Sequence, residues 1–292
     1  MIKTDSTSSS AANSAKNQLL MDCYQFMQSE HLVLPTIPDI SFKIRRAIND
    51  SNASSHKIAR VVQTDPAITA RLIQIANSPL YCGRRKIESC PEALTRLGLQ
   101  ASQDIITAFA IKSVFHANTP FIRQKMSALW GHCSTIGSIS AVFAHKLPGF
   151  DPDRAMLAGL VHDIGIVPIL SYADRHPDTI ATPRDLVETV RKLRADIGIR
   201  IMHKWGFPDD FDDVVMHAEN WFRRNDKAPD YADIVMIAQL HSFIGKVDIK
   251  KMPKIDELPA YKKFATHLNM KDCMAILDDA KEEIEQIRRM LQ

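Results

Sequence analysis

The sequence predicts an all-α protein, and three observations support this fold class. Glycine is scarce, with 10 residues among 292, and runs that alternate apolar and polar residues, as strands do, are few. Apolar residues instead recur at helical spacing through most of the chain. Residues typical of helix starts and ends stand at the boundaries of several of these stretches. Hydrophobic residues make up 45% of the chain, enough for a sizeable core in one or two domains.

Helices in the first half are marked mainly by their start signals. Asp65 followed by Pro66 is typical of an N-cap and a first helical residue, and this helix is predicted to end near Asn77. Ser89 and Glu92 have the spacing of a capping box for the next helix. Further helices are predicted after Ser54 and over about 17–30, 41–49 and 101–115.

A break at residues 116–120 precedes the second half, which is also predicted to be helical. One helix is predicted over about 153–171, with Asp151 or Asp153 as its cap. Trp205-Gly206-Phe207-Pro208 is interpreted as a helix stop with an aromatic anchor in the core. Residues 174–184 are predicted to be a loop, residues 248–259 a surface segment, and the remaining helices to cover about 122–146, 184–205, 209–222, 231–246 and 271–291.

Composition narrows the classes of partner. The net charge of +3 is too small for a nucleic-acid partner, whose binding face should be clustered and strongly basic. The short basic runs Arg84-Arg85-Lys86 and Arg223-Arg224 are expected to be solvated loop or helix ends. No membrane association is expected either, because no apolar run approaches the roughly 20 residues of a membrane span.

A cytoplasmic location is expected from the N-terminus and the cysteines. Residues 1–16, rich in Ser, Ala and Asn, lack the apolar core of a signal peptide and are predicted to be a disordered tail. The five cysteines are scattered without C-x-x-C spacing. Reduced thiols in the cytoplasm are the simplest interpretation of that pattern.

Two ionisable residues interrupt the apolar stretch 157–167. His162 and Asp163 stand side by side in this run, where burial is costly unless each finds a metal, a cation or a strong hydrogen bond. Neighbouring residues on a helix point about 100° apart. A metal site at this pair would therefore need ligands from other helices.

This pair resembles the His-Asp signature of the HD phosphohydrolase superfamily, in which it holds a catalytic metal. Four further stretches are similar to successive landmarks of the HDOD (HD-related output domain) proteins of bacterial signalling. They are Leu34-Pro35-x-Ile37-Pro38, Asp65-Pro66-Ala67-Ile68-Thr69-Ala70-Arg71-Leu72, Ala76-Asn77-Ser78 and Ala93-Leu94-x-x-Leu97-Gly98. The resemblance implies a two-lobed, HD-domain-like helical bundle, with an N-terminal lobe over 17–118 and an HD-like lobe with a C-terminal helix over 119–292.

The resemblance also implies a set of site residues. The minimal HD set is a first His, the His-Asp pair and a later Asp, which match His132, His162 and Asp163, with Gln239 in the last position. A neutral Gln is a weak metal ligand, so the site loses a donor and a charge.

Two further ligand positions of binuclear relatives, such as the HD-GYP cyclic-di-GMP phosphodiesterases, are also altered. Arg194 stands where their His-x-x-Ile-Gly element has its His, and His217-Ala218-Glu219 keeps one of the two His of their His-His-Glu. The Gly-Tyr-Pro motif does not follow the His-Asp pair. An Arg at this place suggests an ion pair between Arg194 and Asp163.

Three interpretations of His132, His162 and Asp163 follow. They are a polar framework inherited from a catalytic ancestor, a mononuclear or weakly occupied site for a divalent metal (Mn, Fe or Zn), and a working hydrolase. The replaced ligands favour the framework, and apart from such a metal no cofactor is expected.

The resemblance therefore implies a non-catalytic bacterial signalling module that binds a signalling protein or a nucleotide-like ligand. The alternative is a metal-dependent phosphohydrolase acting on a nucleotide or cyclic dinucleotide. No receiver, kinase or cyclase domain is recognisable in the sequence, so any output should act through a partner.

Overall fold

The structure, a computed structural model, describes residues 19–25, 34–36, 39–48, 54–78, 80–81, 83, 85–180, 182–224, 228–243, 253–264, 275–276 and 278–291. Residues 19–25 are helical. Helices in the first half include α1 (Asp39–Ile48), α2 (Ser55–Val62), α3 (Pro66–Ala76), α4 (Cys90–Leu97) and α5 (Leu99–Ile111). Those in the second half include α6 (Pro120–Lys146), α7 (Pro152–Val161), α8 (Ile166–Arg175), α9 (Pro183–Lys204), α10 (Asp210–His217), α11 (Tyr231–Phe243), α12 (Pro259–Phe264) and α13 (Lys281–Leu291).

Short 3-10 helices cover Lys112–Val114, Pro177–Thr179 and Ile255–Glu257. No strand occurs among the residues that the structure describes. The predicted all-α fold is therefore confirmed. The predicted tail 1–16 and the outer ends of the helices predicted over 17–30, 231–246 and 271–291 lie outside the described residues. The lobe boundary at 118/119 stays a prediction.

The helix caps identified in the sequence bond as their residue types predict. The Asp65 carboxylate accepts hydrogen bonds from the backbone N–H groups of Ala67 and Ile68 at 3.0 and 3.1 Å. Asp151, rather than Asp153, caps α7, because its carboxylate accepts from the N–H of Asp153 at 2.8 Å. Each cap satisfies backbone donors that have no partner inside the helix.

The helix predicted over 153–171 is present but is interrupted by a short turn at the His-Asp pair. Helix α7 ends at Val161, residues 162–165 form a turn, and α8 begins at Ile166. In this turn the Ile164 N–H bonds the Val161 carbonyl at 2.9 Å, a tighter pattern than in an α-helix. Helix α9 crosses here so closely that a Cβ on Gly165 would lie 1.8 Å from the Arg194 carbonyl oxygen.

Two segments for which the sequence predicts no helix contain helical structure. The predicted loop 174–184 includes the end of α8 and a 3-10 helix. A capping box of Thr182 and Asp185 then opens α9, although Asp is outside the usual Glu or Gln at that position. The predicted surface segment 248–259 contains the 3-10 helix Ile255–Glu257, and Pro259 opens α12. Proline at the first helical position is tolerated because its missing N–H would be unbonded there.

Helices α6 and α7 cross at two glycines. A Cβ on Gly159 would lie 2.6 Å from the Cα of Gly137, so the two backbones are in contact. His132 on α6 and His162 at the end of α7 lie about one turn from these glycines. This crossing brings the two imidazoles together.

The aromatic anchor predicted after α9 is confirmed. Trp205 is buried, and its indole Nε1 donates to the Pro35 carbonyl at 2.9 Å. Gly206 has φ +67°, which favours glycine at this helix end. Arg45 of α1 donates to the Gly206 carbonyl at 3.1 Å. These contacts hold the first-half helices against α9.

One helical stretch of the described residues, Pro152–Arg175, is long and apolar enough to cross a membrane by length and composition. Its most apolar window is 89% buried inside the fold. Buried core helices pass the same test, so this stretch is weak evidence for a membrane span.

Candidate functional site

His132, His162 and Asp163 converge as the sequence predicts. The Nε2 atoms of His132 and His162 lie 3.2 Å apart. Asp163 Oδ2 lies 3.2 Å from the His162 Nε2 and 3.8 Å from the His132 Nε2. Among the described residues they form the one group of His, Cys, Asp or Glu side chains with three ligand atoms within 4.8 Å of one another.

The spacing of these donor atoms fits a single metal ion. Ligands held at about 2.0–2.1 Å in tetrahedral or octahedral geometry lie about 3.0–3.4 Å from one another. Two of the three donor separations are 3.2 Å, and the third is 3.8 Å. His132, His162 and Asp163 could therefore bind one divalent ion with little movement of the side chains.

The orientation of the His162 ring suits such a ligand. Its Nδ1 lies 2.7 Å from the Gly159 carbonyl oxygen. Because a carbonyl only accepts, Nδ1 must carry a hydrogen, and Nε2 is the atom that faces His132 and Asp163. A backbone carbonyl often plays this orienting role for metal-binding histidines.

When no metal is present, the charges within this group favour the protonated form of His162. Burial by itself lowers the pKa of His162, but the charge of Asp163 and their hydrogen bond outweigh burial and hold that pKa well above its usual value. Burial raises the pKa of Asp163, but His162 and Arg194 lower it further, so the net shift is downward. A metal ion would have to displace the His162 proton, so binding should weaken as pH falls.

Arg194, at a position that the resemblance aligns with a metal ligand, forms the predicted ion pair with Asp163. Its Nη1 donates to Asp163 Oδ1 at 2.7 Å, and its Nη2 lies 3.2 Å from Glu219 Oε2. The Arg194 side chain is 7% exposed and that of Glu219 is 55% exposed. The guanidinium thus bridges a buried and an exposed carboxylate. The close approach of α9 at Gly165 makes this reach possible.

Gln239, which stands where the resemblance implies a carboxylate, forms a hydrogen bond with the backbone. Its side-chain amide is buried and donates to the Ala218 carbonyl at 2.7 Å. This bond holds α11 to the residues after α10. The amide nitrogen cannot act as a metal ligand, because its lone pair is delocalised into the carbonyl.

His217 lies in a different group of charges. Its Nε2 is 3.7 Å from Asp213, and burial and nearby Arg223 lower its pKa. Arg223 is buried and pairs with Asp213, Asp230 and Asp233 at 3.2, 2.8 and 3.4 Å. The expectation that Arg223 is solvated was therefore wrong, because these carboxylates compensate its buried charge.

Two features of the site were missed in the sequence. Phe243 stacks on the His132 ring with centroids 6.1 Å apart, and Trp221 lies edge-on to Phe243 at 6.3 Å. The second feature is the ion pair between Glu219 and Arg194, which the sequence does not predict. No local spacing connects residue 219 to residue 194, so only the folded arrangement reveals this contact.

Comparison with known proteins establishes the family. The profile of the HDOD domain matches residues 34–221, well over half of the chain. The chain belongs to the HDOD domain family. This confirms the resemblance drawn from the landmarks of the first half and from the His-Asp pair.

Similar structures agree with this HDOD fold. A "Putative metal-dependent phosphohydrolase" from Shewanella amazonensis SB2B superposes with a TM-score of 0.80 at 24% identity, covering 96% of this chain and 100% of that one. A "Putative signal transduction protein" from Marinobacter aquaeolei VT8 superposes with a TM-score of 0.60 at 16% identity, covering 95% of this chain and 66% of that one. At these identities the likeness establishes the fold alone.

A curated relative, an uncharacterised protein of Treponema pallidum (strain Nichols), is 22% identical over 193 residues. That match covers 60% of this chain and 36% of the relative's length.

Proposed function

We propose that this HDOD protein is a bacterial regulatory module that acts by binding and does not hydrolyse phosphoesters. The main support is that the Arg194 guanidinium lies between the carboxylates of Asp163 and Glu219 and pairs with both. The guanidinium of Arg194, which is always charged, is bonded to the Asp163 carboxylate that a second metal ion would need as a ligand.

Charge explains why this arrangement opposes hydrolysis. Two-metal hydrolysis needs two ions about 3.5–4 Å apart that hold the attacking and leaving oxygens. A second ion beside Asp163 would meet the guanidinium at close range, where like charges repel strongly. Gln239 offers no charge to compensate and is bonded to the Ala218 carbonyl. The remaining donors suit one ion at most.

A regulatory role is supported by the family and by the chemistry that the site retains. The chain belongs to the HDOD domain family, and the Marinobacter neighbour of the same fold is named a putative signal transduction protein. The cluster of half-buried His132 with buried His162, Asp163 and Arg194 joins α6, the α7–α8 turn and α9. Such a cluster fixes three helices in register, which is useful for a module that presents surfaces to a partner.

The proposal is tested by assaying hydrolysis at high protein concentration with Mn, Fe or Zn present. The substrates are bis(p-nitrophenyl) phosphate and a cyclic dinucleotide, and the matched control is His162→Ala. We expect the two proteins to show the same background rate. A wild-type rate clearly above that of His162→Ala would overturn the proposal.

A metal-dependent phosphohydrolase is the second candidate, favoured by the spacing of the three donor atoms. In that case His132, His162 and Asp163 would hold one ion, which would polarise a phosphoryl oxygen and lower the pKa of bound water. The same assay separates the two candidates, because only this one predicts turnover that depends on His162.

A further inference from the structure

An exposed apolar groove runs along helix α9. Leu186, Val187, Val190 and Arg191 share one face of this helix with Pro183, at spacings that normally face a core. Val187 is 67% exposed, which is unusual for an apolar residue within such a stripe. This face of α9 is therefore only partly covered by the rest of the described chain.

Helices α6 and α8 complete the groove. Phe121, Lys125 and Leu129 stand one turn apart along α6 and form the opposite wall. Ile166 and Leu170 of α8 form the floor. The groove encloses about 460 Å³, and Phe121 is 49% exposed. Two helical walls about two and a half turns long above an apolar floor suit a short amphipathic helix.

The charges of the groove are one-sided. Lys125 lies over the Phe121 ring at 5.5 Å, and Arg191 is exposed on the facing wall. Neither cation has a carboxylate partner among the residues that the structure describes. Glu219, which also lines the groove, is held by Arg194. The free charges at the walls are therefore positive and complement an acidic ligand.

We propose that this groove binds an acidic amphipathic helix of a partner protein. Apolar side chains of that helix would cover Val187, Leu170 and Phe121, and its carboxylates would pair with Lys125 and Arg191. The inference rests on the proposed function, because it names the partner class of a module that acts by binding.

Other occupants fit the groove less well. The stretches of this chain outside the described residues carry at most one net negative charge each, so they offer little complement to two cations. A second copy docked by a twofold axis would bring Arg191 and Lys125 towards their own counterparts, which is unfavourable. A small molecule would remain largely in solvent beside residues as exposed as Val187 and Phe121.

The test uses the full chain and two fluorescein-labelled model helices, read out by fluorescence anisotropy. One peptide has Leu on one face and Glu on the other, and the matched peptide replaces every Glu with Lys. We expect the Glu peptide to bind wild type at least about ten-fold more tightly than the Lys peptide, with affinity falling as salt rises.

Variants place that binding in the groove. Val187→Asp should weaken the Glu peptide by about ten-fold or more, because it puts an acid among the apolar contacts. Lys125→Glu/Arg191→Glu should reverse the preference towards the Lys peptide. Arg200→Glu, an exposed position on the same helix, is the matched control and should leave the affinity nearly unchanged.

Several results would overturn the groove proposal. They are equal binding of the two peptides, no binding to wild type, and binding that is unaffected by Val187→Asp. Self-association that Val187→Asp abolishes would instead identify a second copy as the occupant. These failures are distinct from failure of the proposed function, which only the hydrolysis assay with the His162→Ala control reports.

Discussion

Arg194 Nη1 donates to Asp163 Oδ1 at 2.7 Å, and both residues are buried. The pair joins α9 to the α7–α8 turn at the point where the two segments pass closest. In a metal-dependent hydrolase of this fold, metal ions would bind to such a carboxylate. Here a side chain of the protein supplies the positive charge, so the fold can keep the buried carboxylate without a metal.

Arg194→Met should destabilise the protein by about 3 kcal/mol, because it leaves Asp163 buried with less compensation. The neighbouring His162 should prevent a larger loss. Urea unfolding compares this variant with Arg200→Met, whose exposed side chain should matter by less than about 0.5 kcal/mol. Equal midpoints for the two variants would show that the buried pair contributes little to stability.

Gly165→Ala should cost at least about 3 kcal/mol, since the new Cβ would meet the Arg194 carbonyl oxygen at 1.8 Å. Gly131→Ala is the control: it lies within α6 with nothing within 4 Å of the new Cβ, and it should be neutral or stabilise by up to about 1 kcal/mol. Thermal unfolding of both variants measures the difference. Similar stability would mean that α9 and the turn separate easily.

Arg194→His/Gln239→Asp should bind Mn at least about ten-fold more tightly than wild type. The change removes a cation and puts donor residues at two positions that the resemblance to the HD superfamily and its binuclear HD-GYP members aligns with ligands. Isothermal titration calorimetry measures the affinity, with Arg200→His as a control for a histidine added at the surface. If the double variant binds no better than that control, the aligned positions do not converge on one site.

Acid should destabilise the protein through His241, which is buried against Phe143 with ring centroids 5.4 Å apart. Burial lowers the pKa of His241 to about 4. Between pH about 6.5 and 4 the unfolded chain binds a proton that the folded one does not, so this stability is complete above pH 6.5 and is lost as pH falls. The loss should reach about 3 kcal/mol.

The measurement is the difference in unfolding free energy between wild type and His241→Phe across this range. Burial raises the pKa of Asp153 to about 8, so protonation of Asp153 stabilises the folded state as pH falls. Both proteins contain Asp153, and its contribution therefore cancels in the difference. The difference should shift in favour of His241→Phe as pH falls. A difference independent of pH would show that His241 titrates normally in the fold.

Local signals in the sequence predicted much of the fold. Asp65 and Asp151 cap their helices because their carboxylates accept hydrogen bonds from the unbonded N–H groups of the first helical turn, which is favourable in any fold. The convergence of His132, His162 and Asp163 and their pairing with Arg194 followed from the family resemblance.

Tertiary contacts account for what was not predicted. The turn at residues 162–165 interrupts a stretch whose apolar spacing continues without change, and it lies where Gly165 meets the backbone of α9. The sequence does not show that Arg223 pairs with carboxylates, so a solvated side chain is the expectation. Folding brings Asp213, Asp230 and Asp233 around Arg223 and lets it be buried. Glu219 reaches Arg194 for the same reason.

The most direct test of a site without two-metal chemistry is the number of metal ions that each chain binds. Untagged protein would be analysed for its elements before and after incubation with Mn, Fe and Zn, and compared with His162→Ala. We expect no more than one ion per chain, lost in His162→Ala. Two ions per wild-type chain, both dependent on His162, would contradict the assignment of Arg194 as the cation of this site.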